Sequence, residues 1–239
     1  MTRGSFHAFK KFCVLILVGA VVGTGSAVAA TSATQTLDTS GQVKNLIANI
    51  AKAVSAGQTA RPGQLTQSAT CGFGTPSQVF LPWSDSASYG LAPQGDLSST
   101  SSWTLSNTTV AADHDSFTPG TNSLRIAGNG QATSPAMCVD LTTPTIRLFV
   151  KTTAPSSADL KVSVLYEDLK GNVKSLDLAK LRAGASWQPS VSVPIIVNAA
   201  SALSSSGWTA VAFVFKPEGT STIQTWSIDN LYVDPYHKS

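Results

Sequence analysis

The sequence predicts an all-β protein with an antiparallel sandwich or barrel, and three observations support this prediction. From Cys71 onward, roughly ten short runs rich in β-branched and aromatic residues follow one another. Clusters of Gly, Pro, Ser and Asn separate these runs at regular intervals. No run with helical periodicity lies between them. Short strands joined by such turns, without crossover helices, are typical of antiparallel sandwiches and barrels.

Alternation within the runs assigns their faces. In the run 146–151 every second residue is Ile, Leu or Val, which predicts one core-facing side. The run 210–215 is apolar on both faces, which predicts a central strand. Runs at 77–83 and 191–197 are also predicted to be strands.

Residues 1–29 have the pattern of a signal peptide. Basic Arg3, Lys10 and Lys11 precede an apolar run at 12–23, and Ala27-Val28-Ala29 gives the small-x-small pattern of a cleavage site. The apolar run is shorter than the roughly 20 residues of a membrane span. We therefore expect a secreted, extracellular protein without a membrane span after cleavage.

The charge balance argues against a nucleic-acid partner. Three of the 16 Lys and Arg residues lie in the predicted signal peptide and none of the 13 Asp and Glu residues does, so 13 of each sign remain. A protein that binds the phosphate backbone needs a basic stripe, and the sequence has none. The remaining chain is formally neutral.

Residues 30–70 are predicted to form a disordered segment, a short amphipathic helix at about 41–56, and a linker. The helix is indicated by an apolar stripe at helical spacing: Val43, Leu46, Ile47, Ile50 and Val54. An isolated helix of this length is marginal in water, so it must pack on something. Packing on its own domain is one alternative, and self-association through the stripe is another.

Two cysteines remain after the predicted cleavage, Cys71 and Cys138. An exported protein meets an oxidising compartment, and two cysteines allow one pairing. Their wide spacing does not fit a CxxC redox or metal motif. We therefore predict a disulfide between them.

The order of several motifs resembles that of jelly-roll carbohydrate-binding modules with a galactose-binding-like fold. The motifs are QGDLSS at 94–99 followed by Trp103, Ser123-Leu124-Arg125-Ile126, Ser186-Trp187, and the closing WSIDNL at 226–231. The segments 78–89 and 233–236 resemble a group of short secreted bacterial proteins of unassigned function still more closely. The resemblance implies a jelly-roll β-sandwich at 71–237, and Trp103, Trp187 and Trp226 in its core.

The resemblance also implies a structural calcium ion, which in many such modules lies between an opening Glu and a closing Asp. The closing residue is Asp229, while Ser98 occupies the opening position and Asp96 lies nearby. Because calcium prefers hard oxygen ligands, Asp229 and Asp96 are its predicted ligands.

Binding is predicted in preference to catalysis. The sequence has no GxSxG motif, and His114 is the one histidine between the signal peptide and the last three residues. Sugars are held by aromatic faces and planar polar side chains. The predicted ligand-binding residues are Trp83, Asp85, Tyr89, Arg125 and Arg147, with a polysaccharide or cell-envelope glycan as partner. A structural or interaction protein of the cell surface is the alternative, and a hydrolase is a further one.

Overall fold

The computed structural model describes residues 36–37, 41–155, 158–219 and 221–234, so the predicted signal peptide lies outside the described residues. The helices in this part are α1 (Gly41–Ser55), α2 (Gln64–Ser68) and two 3₁₀ helices at Leu81–Trp83 and Ile196–Leu203. The short strands are β1 (Thr36–Leu37), β2 (Gly90–Leu91), β5 (Met137–Val139), β9 (Gln188–Pro189) and β10 (Val193–Pro194). The long strands are β3 (Thr104–Ala111), β4 (Ser123–Thr133), β6 (Thr145–Thr152), β7 (Asp159–Glu167), β8 (Val173–Leu181), β11 (Thr209–Glu218) and β12 (Thr225–Asp234).

The strands form one curled antiparallel sheet that folds into a β-sandwich, as predicted. Their order is β1-β8-β7-β11-β4-β12-β6-β10, with β2 on β12, β3 on β4, β5 on β11 and β9 on β6. We call β8, β7, β11 and β5 half I, and β3, β4, β12 and β6 half II. Strand β4 joins the halves, because its start pairs with β12 and its end pairs with β11.

The core lies between the halves and follows from the alternation of the strands. Every second side chain of β6, β7 and β11 is fully buried and enters one apolar cluster. Strand β11 is buried on both faces and pairs with β7, β5 and β4, so its prediction as a central strand is confirmed. Trp226 and Trp103 lie in this core, as predicted.

Helix α1 matches the predicted helix at 41–56 and packs on its own domain. Ala53 is buried, and Val43 and Leu46 pack against the main core. Its neighbour is the 3₁₀ helix Ile196–Leu203. Part of the apolar stripe therefore has a partner within the chain, while Val54 at its end is 47% exposed.

The predicted disulfide between Cys71 and Cys138 is present, with 4.9 Å between the two Cα atoms. It joins the segment after α2 to β5, 67 positions further along the chain. Beside it, the main-chain N–H of Cys138 donates to the carbonyl of Thr70. The bridge thus fixes the segment before residue 78 to half I.

Two predicted strands are wrong. The run 77–83 forms a 3₁₀ turn at Leu81–Trp83, where Pro82 has no N–H to donate to a sheet, and the next residue, Ser84, has a φ of 64°. The run 191–197 forms only the two-residue β10 before the second 3₁₀ helix begins. In both places the apolar residues that suggested a strand pack onto existing strands instead.

Candidate functional site

A second, smaller apolar cluster covers the outer face of half II. It consists of Phe80, Tyr89, Phe149 and Tyr232, and segment 78–92 supplies the first two. Phe149 and Tyr232 point outward from β6 and β12 because their neighbours in sequence face the main core. The predicted face assignment for β6 is therefore correct, but its outward side is covered rather than solvated.

Three of the predicted ligand-binding residues hold segment 78–92 on the sheet. Arg147 Nη1 donates to Asp85 Oδ2 at 2.5 Å, and the Tyr89 hydroxyl donates to the same oxygen at 2.8 Å. The Arg147 guanidinium also bonds the Ser190 carbonyl and lies 4.1 Å from the centre of the Phe80 ring. Tyr89 and Arg147 are only 2% and 7% exposed, so as placed here they organise the face and do not offer surface to a ligand.

The charge of Asp85 is stabilised by this arrangement. Burial raises the pKa of the Asp85 carboxyl. Hydrogen bonds from Tyr89, the Ala87 main chain and Arg147 together lower this pKa by more than burial raises it, so the net pKa is below its ordinary value. Asp85 therefore stays ionised against the buried Arg147 cation, which otherwise would lack a counter-ion.

Above this cluster, aromatic rings reach the surface. The ring centres of Trp83 and Phe117 are 4.8 Å apart with nearly perpendicular planes, and Phe117 lies 5.5 Å from Phe149. Trp83 is partly buried, whereas Phe117 is 50% exposed. Edge-to-face packing of this kind fixes the rings and leaves part of their surface free.

Charged side chains continue this surface along β6. Asp113 Oδ2 accepts a hydrogen bond from Lys151 Nζ at 2.6 Å and lies 3.5 Å from Arg125 Nη2. Trp187 Nε1 donates to Asp113 Oδ1 at 3.4 Å, and Lys151 Nζ lies 4.8 Å from the centre of the Trp187 ring. The hydrogen bond from Lys151 holds the pKa of the Asp113 carboxyl below its ordinary value, against the opposing effect of burial.

Together these six side chains form what we call the outer patch: Trp83, Phe117, Trp187, Asp113, Arg125 and Lys151. Sequence reasoning found Trp83 and Arg125 but missed Phe117 and Asp113 as site residues. It also assigned Trp187 to the core, which is wrong, because Trp187 is partly exposed and packs on the outer cluster. The sequence contains one signal for this surface. Arg147, Phe149 and Lys151 alternate with the core residues of β6, so they share its outward face.

A buried polar site lies beside the outer patch, where segment 112–118 meets β12. Asp115 and Asp229 are 0% and 1% exposed. Asp229 Oδ2 accepts from the Asp115 N–H at 2.9 Å, and Asn230 Nδ2 donates to Asp115 Oδ2 at 2.8 Å. Asn230 sits at a β-bulge with a φ of 48°, which turns its amide toward Asp115.

Burial raises the pKa of Asp229 to about 7, and the nearby charge of Asp115 adds to this effect. Because both carboxyl groups are enclosed by protein atoms, no substrate reaches them from solvent in this arrangement. The hydrogen bonds of Asp115 with Asp229 and Asn230 therefore hold segment 112–118 on β12.

The two predicted calcium ligands, Asp229 and Asp96, already accept hydrogen bonds from protein groups. Both oxygens of Asp229 already accept main-chain N–H groups, from Asp115 and Asn230. Asp96 Oδ1 accepts the N–H and hydroxyl of Ser98. Within the described ranges, no group of three or more His, Cys, Asp or Glu side chains could hold a metal ion. Calcium binding through Asp229 and Asp96 stays a prediction from the resemblance.

None of the helices among the described residues combines the length and the apolar character needed to cross a bilayer.

No protein-family model matches the sequence. No curated protein matches it either. Solved structures do match: the CBM22-1 xylan-binding domain of Xyn10C from Paenibacillus barcinonensis is 16% identical with a TM-score of 0.39, covering 59% of this chain and 90% of that one. A family 11 carbohydrate-binding module of the cellulase Lic26A-Cel5E of Clostridium thermocellum is 11% identical with a TM-score of 0.36, covering 63% and 97%.

A third match is TmCBM61 in complex with β-1,4-galactotriose, 12% identical with a TM-score of 0.34, covering 60% of this chain and 96% of that one. With identities below 25% and TM-scores below 0.5, what this chain binds has to be argued from its own side chains. These three solved structures are carbohydrate-binding modules, the class that the sequence motifs resemble. Another match is the enzymatically active domain of tailspike protein 4 of bacteriophage CBA120, 15% identical with a TM-score of 0.39.

Proposed function

We propose that the protein is a secreted, non-catalytic glycan-binding module and that the outer patch is the surface that contacts the sugar. One observation carries the proposal: exposed aromatic rings and fixed charged side chains share one face of half II. Polysaccharides offer C–H faces to aromatic rings and hydroxyl groups to carboxylates, amides and guanidinium groups.

The patch is organised before any ligand arrives. Asp113 holds Lys151 and Trp187 in place, while Phe149 supports Trp83 and Phe117 from below. Because these side chains are already ordered, binding costs less conformational entropy than it would on a mobile loop. Arg125, whose side chain is 47% exposed, keeps donors free for a ligand hydroxyl.

Two findings weigh against the alternatives. Two residues of the apolar stripe of α1, Val43 and Leu46, pack on the chain's own core, which leaves less apolar surface for self-association. The carboxyl pair Asp115–Asp229 is buried, whereas glycoside hydrolysis needs two carboxyl groups flanking a bound sugar.

Pull-down of the purified chain on a panel of insoluble polysaccharides tests the proposal. We expect retention on at least one polysaccharide, and a loss of retention in Phe117→Ala and Arg125→Ala. Losing a stacking ring or a charged hydrogen bond costs about 1–3 kcal/mol, which is roughly a 5- to 150-fold weaker affinity.

The matched control is Val173→Ala, which trims an exposed apolar residue on β8 in half I. It should bind like the unaltered chain. Trp83→Ala is a further variant, read together with its melting temperature because Trp83 also packs on Phe149. The proposal fails if no polysaccharide retains the protein, or if the outer-patch variants are retained as well as Val173→Ala.

Export is the second part of the proposal and depends on residues 1–29. Expression with this segment in a secreting bacterium should place the protein in the medium with residue 30 at its N-terminus, as N-terminal sequencing would record. Protein that stays inside the cell and still begins at Met1 would contradict it.

A further inference from the structure

A cavity of about 780 Å³ opens beside α1 and the end of β7 in half I, outside the outer patch. Its walls are α1, the segment 58–62, the turn between β7 and β8, and the stretch 200–209. Ligand sites in proteins commonly have volumes of about 300–1,000 Å³, so this one is large enough for a small molecule. None of the residues of the outer patch lines it.

The walls are tied to one another by main-chain hydrogen bonds. The N–H of Ala60 donates to the Leu203 carbonyl at 2.8 Å, and the N–H of Arg61 donates to the Leu169 carbonyl at 3.1 Å. The segment that contains Ala60 and Arg61 therefore bridges two walls of the cavity. The cavity is a feature of the packed fold rather than a gap beside a loose segment.

Two aromatic side chains line the cavity with unused polar groups. Trp208 and Tyr166 are both partly exposed, and neither Trp208 Nε1 nor the Tyr166 hydroxyl has a hydrogen-bond partner among the residues that the structure describes. Asn49 also lines the cavity. Rings with a free N–H or O–H at their edge suit a ligand that has both apolar faces and hydroxyl groups.

The unpaired charge of the cavity is positive. Lys52, Arg61 and Lys170 line it, and across the described ranges none of the three forms a salt bridge. The two lining carboxylates are already occupied. Glu167 accepts hydrogen bonds from Gly63 and Thr66, and Asp168 accepts them from the N–H groups of Lys170 and Asn172. The cavity therefore favours an anionic ligand, which can pair with the three cations. A cationic ligand is disfavoured because both carboxylates already accept hydrogen bonds from the protein.

We propose that this cavity is a second binding site, separate from the outer patch, for an acidic saccharide that carries carboxylate groups. The sugar rings pack on Trp208 and Tyr166, and the carboxylates pair with Arg61, Lys52 and Lys170. A fatty acid is disfavoured because polar residues line several walls (Asn49, Gln58, Asn172 and Ser204–Ser206) and an acyl chain would leave them unpaired.

Calorimetric titration of the full chain tests this proposal. The probes are tetragalacturonate, the neutral galactotetraose with the same linkage, and dodecanoate. We expect tetragalacturonate to bind, with an affinity that falls as salt is raised, and the neutral sugar to bind at least about tenfold more weakly.

The variants locate the site. Arg61→Ala should weaken tetragalacturonate binding about tenfold, as expected for one lost charged hydrogen bond. Trp208→Ala should abolish binding, and Trp208→Phe should retain part of it because the ring face remains. The matched control Lys216→Ala removes an exposed cation outside the cavity and should leave the affinity unchanged.

Three results would overturn the inference. The first is the absence of tetragalacturonate binding at millimolar concentration. The second is binding that survives Arg61→Ala and Trp208→Ala but is lost in Arg125→Ala, which would move the acidic sugar to the outer patch and leave the proposed function standing. The third is dodecanoate binding that depends on Trp208 and excludes the saccharide.

Discussion

At the scale of single residues, the buried carboxyl of Asp229 stands out because its environment penalises its charge. The group is 1% exposed, and Asp115 lies beside it. Burial raises its pKa to about 7, while the pKa of an aspartate in the unfolded chain is about 3.9. Between these two values the folded state holds a proton that the unfolded state releases.

The free energy of unfolding should therefore fall as the pH rises from about 4 to about 7, because stability falls with pH wherever the folded state binds more protons. The expected loss is a few kcal/mol at most, since one pKa unit corresponds to about 1.4 kcal/mol. Urea unfolding at the two pH values, with a chelator present, measures it. Asp229→Asn should make the free energy of unfolding less dependent on pH. If the variant shows the same pH dependence as the unaltered chain, other groups cause it.

At the scale of elements, α2 depends on one side chain from β7. Glu167 accepts hydrogen bonds from the N–H of Gly63, the N–H of Thr66 and the Thr66 hydroxyl, at 2.8, 3.1 and 2.6 Å. Gly63 also packs so closely on Gly171 and Glu167 that a Cβ atom would clash with both. A five-residue helix is too short to be stable alone, so this contact holds it on half I.

Glu167→Ala should lower the free energy of unfolding by about 2 kcal/mol, because it leaves three partly buried donors without their shared acceptor. Hydrogen exchange at residues 63–68 should speed up more than elsewhere. Glu218→Ala is the matched control, since Glu218 forms surface ion pairs with Lys161 and Lys180 that are worth about 1 kcal/mol or less. Equal effects of the two variants would contradict the role of Glu167.

The elements that alternation or helical periodicity marks were predictable from the sequence. Strands β6, β7, β11 and β12 and helix α1 are examples, because their residues face one core at a regular spacing. The structure of segment 77–83 was not predictable in this way, since its apolar residues pack on the outward face of β6 around Pro82 and do not form a strand ladder. Local pattern does not reveal which surface a loop will cover.

At the scale of the whole molecule, long-range contacts decide what sequence reasoning could not reach. Asp113, Lys151 and Trp187 form one cluster although 36 or more positions separate them, and only the folded sheet brings them together. The disulfide was predictable because two cysteines allow a single pairing. The composition of the outer patch was not, because it depends on which loops lie over half II.

The disulfide should contribute about 4 kcal/mol to the free energy of unfolding, from the entropy of closing a loop of 67 positions. Reduction, or the double variant Cys71→Ser with Cys138→Ser, should lower the urea midpoint accordingly. Binding at the outer patch should survive under native conditions, because the bridge lies on half I. Unchanged stability after complete reduction would contradict the estimate.

The short pairing of β1 with β8 has a consequence for solubility. Strand β8 ends half I, and Thr36 and Leu37 of β1 pair with its residues Lys180 and Ala179. An uncovered outer strand presents N–H and C=O groups on which another chain can align, and exposed lysines on the strand oppose such alignment. Proteolysis after Leu37 would remove β1 and expose the edge of β8. We therefore expect the cleaved protein to aggregate more readily through intermolecular strand pairing.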